Sequence, residues 1–128
     1  LLNKDVRAVI IELGANDGLR GIDPVETRKN LSWILGHLKE LQIKVLLTGM
    51  KAPPNLGKDY GHDFNSIYTD LARQFSVAFD PFYLQDVAAV EHLNQADGIH
   101  PNARGVAKIV QRLSPQIVKL LSQKKPTP

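Results

Sequence analysis

Asp97 and His100 stand three residues apart in the pentapeptide Asp97-Gly98-Ile99-His100-Pro101. If the segment coils, the carboxylate can accept a hydrogen bond from Nδ1 of the imidazole. That bond fixes the tautomer that leaves Nε2 free to take a proton from a nucleophile, and it stabilises the imidazolium that forms. Gly98 permits a tight turn and Pro101 stiffens the exit. The same spacing also suits a plain Asp-Gly turn with a surface histidine ahead of a helix. A second polar loop, Gly14-Ala15-Asn16-Asp17-Gly18, offers a different chemistry. An Asn amide there can aim an N–H at a developing oxyanion, a contact whose loss costs roughly 2.7–4 kcal/mol of barrier in comparable enzymes. An Asx turn is the plain alternative. Neither loop decides the matter alone.

The remaining polar residues point nowhere as sharply. His37, His62 and His92 lack ligand spacing to one another, and with no cysteine the soft-ligand sites are gone, so no metal centre and no cofactor are expected. His62-Asp63 reads as an exposed pair in a loop or at a helix start. Ser32, Ser66, Ser76, Ser114 and Ser122 all lack a Gly-Asp-Ser or Gly-x-Ser-x-Gly setting at a strand end. They read as helix surface or caps. Trp33, with the Phe and Tyr residues at helical spacing, reads as core rather than as a substrate platform.

The elements that must position these loops alternate. Val6 to Leu13 is a nearly continuous β-branched run, as expected of a strand buried on both faces of a parallel sheet. A polar loop covers 14–22. Asp23-Pro24-Val25-Glu26 combines a capping acceptor, Pro at the first helical position and a nearby carboxylate, so a helix begins there. Leu31, Ile34, Leu35, Leu38 and Leu41 form its apolar stripe. Lys44 to Met50 is the second strand, followed by a Pro- and Gly-rich loop from Lys51 to about Gly61. Phe64, Ile67, Tyr68, Leu71 and Phe75 predict a second helix, and Val77-Ala78-Phe79 a short third strand closed by Asp80-Pro81. Residues 82–93 are ambiguous, with a short helix through Leu84, Val87 and Val90 as one reading, and Asn94 to Asn102 reads as loop. Val106, Ile109, Val110, Leu113, Ile117, Leu120 and Leu121 mark a final helix with Pro115 as a kink point. Lys124 to Pro128 is expected to be a disordered tail.

This alternation predicts an α/β fold with a parallel sheet and right-handed crossovers. In such sheets ligands bind beyond the C-terminal strand ends, which directs attention to loops 14–22, 49–63, 80–85 and 94–102. Three strands make a thin sheet, and all three read as buried rather than as edges, so neighbours are expected to be missing.

Bulk properties narrow the class. The chain has 128 residues, 43% of them hydrophobic, enough for one domain and too few for two. A net charge of +3, with Lys124 and Lys125 in the tail, is too small and scattered for a nucleic-acid surface. The absence of cysteine excludes disulfides and leaves the redox compartment open. No run is long enough to span a bilayer, and Leu1-Leu2-Asn3-Lys4-Asp5 is neither a signal peptide nor an initiator. The chain is therefore expected to be soluble and incomplete at its N-terminus.

Taken together and in this order, the two loops carry a resemblance. Gly14-Ala15-Asn16-Asp17 resembles the third sequence block of the SGNH hydrolases (GDSL esterases and lipases), and Asp97-Gly98-Ile99-His100-Pro101 resembles the fifth. The likeness runs from about Val6 to Leu121 and is nearest to the bacterial acyl-thioesterase I, protease I and lysophospholipase L1 group and related arylesterases. It implies a three-layer α/β/α flavodoxin-like fold, of which residues 1–123 would supply strands three to five of a 2-1-3-4-5 sheet with their helices. It implies that His100 is the general base, Asp97 its orienting acid and Asn16 an oxyanion-hole donor, with Gly14 and Asp17 shaping the oxyanion loop. Pro53, Pro54 and Tyr60 would border the acyl pocket. The Gly-Asp-Ser block with the nucleophile is expected on a missing segment before Leu1. The substrate would be an acyl ester or thioester, and the resemblance favours a periplasmic or secreted location while leaving the cytoplasm open. Two other readings compete: an inactive fragment that self-associates through an open sheet edge, and a non-catalytic flavodoxin-like binding module.

Overall fold

The computed structural model describes residues 5–123, so the start Leu1 to Lys4 and the tail expected at 124–128 lie outside the described residues. The elements alternate as the hydrophobic pattern requires. β1 (Ala8–Ile11) leads to a short helix α1 (Ala15–Arg20) and then to α2 (Pro24–Glu40). β2 (Lys44–Thr48) is followed by a single 3-10 turn, Pro54–Leu56, and by α3 (Lys58–Phe75). β3 (Ala78–Asp80), a second 3-10 turn at Glu91–Leu93 and α4 (Ala103–Ser122) complete the order.

The sheet is parallel with order β1-β2-β3. Ala8 to Ile11 pair with Lys44 to Leu47, and Leu46 to Thr48 with Ala78 to Asp80. The period of two along β2 sorts the core into two layers. Val45 and Leu47, with Ile11, pack against Leu31, Leu35 and Leu38 of α2 and Phe64, Ile67, Tyr68 and Leu71 of α3. Leu46 faces the other way, into Ile109, Leu113 and Leu120 of α4 with Val87 and Leu93. The parallel α/β architecture expected from the sequence is therefore present.

Several local expectations are corrected. Only β2 is buried on both faces: Ile10 of β1 is 44% exposed, because β1 has one partner strand among the described residues and α4 alone covers that side of the sheet. For the same reason the α4 stripe divides, with Ile109, Leu113 and Leu120 buried and Val106, Val110 and Leu121 exposed. Trp33 is not core. It is 72% exposed and stacks on His37 one turn along α2, outside the stripe that meets the sheet. The 14–22 loop contains α1, which is too short for an apolar period. α3 starts six residues before Phe64. Residues 82–90 form turns rather than a helix, since Asp86 and Ala89 take left-handed φ angles of 62° and 60°. α4 runs unbroken through Pro115.

The cap at Asp23 is as the sequence predicts: its side chain accepts from the Val25 N–H at 2.9 Å, with Pro24 at the first helical position. No helix is long and apolar enough to cross a membrane among the described residues.

Candidate functional site

The loop bearing Asp97 and His100 is tied at its base before α4 begins. Asn94 and Pro101 form an isolated antiparallel bridge, and the Gln95 N–H donates to the His100 carbonyl at 2.8 Å. Two asparagines fasten this base. The buried Asn94 donates through Nδ2 to the carbonyls of Val87 and Val90 at 2.7 and 2.9 Å. Asn102 caps α4, accepting through Oδ1 from the N–H groups of Arg104 and Gly105, while its Nδ2 donates to the carbonyls of His92 and Asn94. Neither asparagine was singled out as functional from sequence, although Asn102 before a helical stripe carries an N-cap signal.

Within that frame Asp97 divides its two oxygens. Oδ1 accepts from the backbone N–H of Ile99 and of His100 at 2.9 and 3.0 Å, and Oδ2 lies 2.7 Å from His100 Nδ1. The expected pairing is thus formed. The backbone N–H of His100, then its side chain, then the N–H of Ile99 hold the Asp97 carboxyl down at about 2, from an ordinary value of 3.8. An ionised Asp97 can only accept, so Nδ1 carries the proton and Nε2 of the neutral ring is the free base. The His100 side chain is 67% exposed.

Asn16 lies at the corresponding end of β1, in the first turn of α1. Its side chain is exposed, and among the described residues no hydrogen bond engages its amide. The loop that carries it is held from several sides. Gly14 caps α1 with φ of 97°, a left-handed conformation, and a Cβ there would also collide with the Tyr68 hydroxyl. Asp17 accepts through Oδ2 from the Thr27 hydroxyl at 3.0 Å, which binds the loop to α2. From α3, Tyr68 donates to the Leu13 carbonyl at 3.0 Å and Tyr60 to the Ile22 carbonyl at 2.8 Å. Burial, helped by the nearby Asp17 carboxylate, raises both phenols above their ordinary range, so both stay protonated as donors.

A cleft of about 500 Å³ opens beside this loop, lined by Glu12, Leu13, Gly14, Asn16 and Asp17 with Thr27 and Asn30 of α2. Burial raises the Glu12 carboxyl at its rim. Pro53, Pro54 and Tyr60 do not line this cleft: the two prolines lead into the 3-10 turn after β2, and the Tyr60 hydroxyl is spent on the Ile22 carbonyl. The serines stay apart from His100. The hydroxyls of Ser66, Ser114 and Ser122 donate to carbonyls of Asp63, Val110 and Lys119 along their own helices. Ser32 is on α2, and Ser76 ends α3 at the opposite end of the sheet. On the far side of β3, Arg112 of α4 pairs with the buried Asp80 and donates to the carbonyls of Phe82 and Tyr83, fixing the chain where it leaves the sheet.

Comparison with known proteins identifies relatives of this chain. The GDSL-like lipase/acylhydrolase family pattern matches residues 1–108. The chain is 39% identical over 113 residues to esterase TesA of Pseudomonas aeruginosa, covering 88% of this chain and 56% of that protein. It is 37% identical over 116 residues to thioesterase 1/protease 1/lysophospholipase L1 of Escherichia coli (strain K12), covering 91% and 56%. Among solved structures, the psychrotrophic esterase EstA from a Pseudoalteromonas species superposes with a TM-score of 0.84 at 31% identity, covering 91% of this chain and 64% of that one. The chain thus spans about half the length of the curated relatives it matches.

Proposed function

The chain belongs to the GDSL-like lipase/acylhydrolase (SGNH hydrolase) family, and from that premise we propose that the complete protein hydrolyses carboxylic esters or thioesters through an acyl-serine intermediate. The nucleophilic serine, in a Gly-Asp-Ser setting, comes from a segment outside these 128 residues. The helix-bound hydroxyls of Ser66, Ser114 and Ser122 support that assignment.

The 2.7 Å contact between Asp97 Oδ2 and His100 Nδ1 carries the reading. Nε2 of His100 takes the serine proton as the serine oxygen attacks the acyl carbon. The carbonyl oxygen becomes an oxyanion held by the Asn16 amide together with backbone N–H donors. Collapse of this intermediate expels the alcohol or thiol, which leaves with the proton from His100. Water then attacks the acyl-serine, His100 takes its proton, and the carboxylic acid departs as the serine is restored. Gly14 and Asp17 keep the oxyanion loop in shape.

In the complete enzyme, His100→Ala is expected to lower hydrolysis of a short p-nitrophenyl ester by roughly 10⁴-fold or more. Asn16→Ala is expected to lower kcat by roughly 10²–10³-fold with little change in thermal stability. Full turnover in His100→Ala would overturn the mechanism.

One observation favours a second reading, self-association through the sheet: among the described residues β1 has a single partner strand, and Ile10 and Leu13 are exposed.

A further inference from the structure

Helix α3 presents three aromatic residues at four-residue spacing, Tyr60, Phe64 and Tyr68, so that all three share one face. Their rings form a ladder. Tyr60 stacks on Phe64 with centroids 5.9 Å apart, and Phe64 meets Tyr68 edge-on at 5.8 Å. Phe64 is fully buried, and Gly18 of α1 rests directly on its ring: a Cβ at Gly18 would lie 2.8 Å from Phe64 Cζ. The two phenols at the ends of the ladder reach the two ends of one loop. Tyr68 Oη donates to the carbonyl of Leu13, immediately before Gly14, and Tyr60 Oη donates to that of Ile22, immediately after Gly21, with the Asp17 carbonyl 3.4 Å away.

Asn16 sits between these two anchor points, on a helix of six residues. So short a helix is not stable by itself, and its orientation is set by what grips it. The grip consists of the Phe64 ring beneath, the Thr27 hydroxyl on Asp17 at one side, and the two phenols at the ends. An oxyanion donor acts only when it is aimed before the charge develops, and a misplacement of about 1 Å can cost on the order of 100-fold in rate.

We propose that Tyr60 and Tyr68 are positioning residues for the oxyanion donor: their hydroxyls clamp the two ends of the Gly14–Gly21 segment over Phe64 and thereby aim the Asn16 amide. The inference rests on the role given to Asn16 above. Both phenols are engaged with backbone carbonyls, and the ladder's register along α3 fixes which carbonyls they reach.

The test is a double-mutant cycle in the complete enzyme, with kcat and KM for a short p-nitrophenyl ester measured for Tyr60→Phe, Asn16→Ala and the pair. Tyr60 is half-buried, and its Phe variant keeps the ring stack, so the variant folds even if Tyr68→Phe does not. Tyr60→Phe is expected to lower kcat by roughly tenfold at unchanged KM. In the Asn16→Ala background the same substitution should change kcat by less than about twofold, because the donor it aims is gone. Unchanged kcat in Tyr60→Phe, beside a lowered kcat in Asn16→Ala, would overturn the clamp alone. So would independent, multiplying effects, which mark a general structural role. Unchanged kcat in Asn16→Ala would overturn the assignment of Asn16 and the clamp with it.

Discussion

Asp97 serves two masters, and the division of its oxygens determines how it fails. Oδ1 is committed to two backbone N–H groups and shapes the loop; Oδ2 alone orients His100. Replacing it by Asn keeps an oxygen for the backbone but turns an N–H₂ toward Nδ1. Nδ1 must then accept, the proton moves to Nε2, and the base is lost. Asp97→Asn is therefore expected to lower kcat by roughly 10⁴-fold while the fold is retained. Its pH behaviour follows from the depressed carboxyl. A group whose folded value lies below its unfolded one adds stability above the unfolded value, and loses that contribution as pH falls toward the folded one. For Asp97 that window runs from its ordinary 3.8 down to about 2. An NMR titration should find its inflection near the lower figure. An Asp97 inflection near 4 would contradict the bonding described. The pair was legible in the sequence because its partners are three residues apart. The hydroxyls of Tyr60 and Tyr68 were not, because the carbonyls they reach lie 38 and 55 residues away and a tyrosine at helical spacing reads simply as core.

At the scale of elements, the start of α4 and the base of the Asp97–His100 loop are one structure joined through a single side chain. Asn102 accepts from two N–H groups of the helix and donates to two carbonyls of the preceding chain. The two functions separate by substitution. Asn102→Asp keeps the cap and removes the donors, whereas Asn102→Ala removes both. Asn102→Ala is expected to cost about 1–2 kcal/mol in denaturant unfolding. Asn102→Asp should hold more of that stability and still lose turnover, since His100 stands two residues away on the loop those donors tie. If Asn102→Asp keeps wild-type kcat, the donors do not position the loop. Local signals also explain which elements the sequence reveals. Asp23-Pro24 marks the start of α2 because the cap and its acceptor are adjacent. The six residues of α1 are too few for an apolar period, and the left-handed turns at Asp86 and Ala89 leave no sequence signature that glycine would have given. Trp33 misleads for a related reason: an aromatic residue on an amphipathic helix reads as core unless its face is known.

For the whole molecule, the central question is what lies against β1. Leu46 is fully buried between β1, β3 and α4, while Ile10, on the neighbouring strand, is 44% exposed, and Val106, Val110 and Leu121 of α4 are exposed too. One face of the sheet is thus roofed by two helices and the other by one. On the reading favoured above, the segment that carries the nucleophile covers this side, and Ile10 becomes core in the complete enzyme. Ile10→Lys separates the possibilities. A lysine at an exposed edge position changes stability by no more than about 0.5 kcal/mol and discourages strand pairing. A lysine buried without a partner destabilises by several kcal/mol. The expected result in the complete enzyme is a loss of roughly 3 kcal/mol or more in denaturant unfolding, with turnover falling alongside it. A variant as stable as the parent would mean that Ile10 stays in water and that nothing covers β1 there. Sedimentation distinguishes the second occupant: if two copies pair through this edge, the parent runs as a dimer and Ile10→Lys as a monomer, whereas a covering segment from the same chain leaves both monomeric.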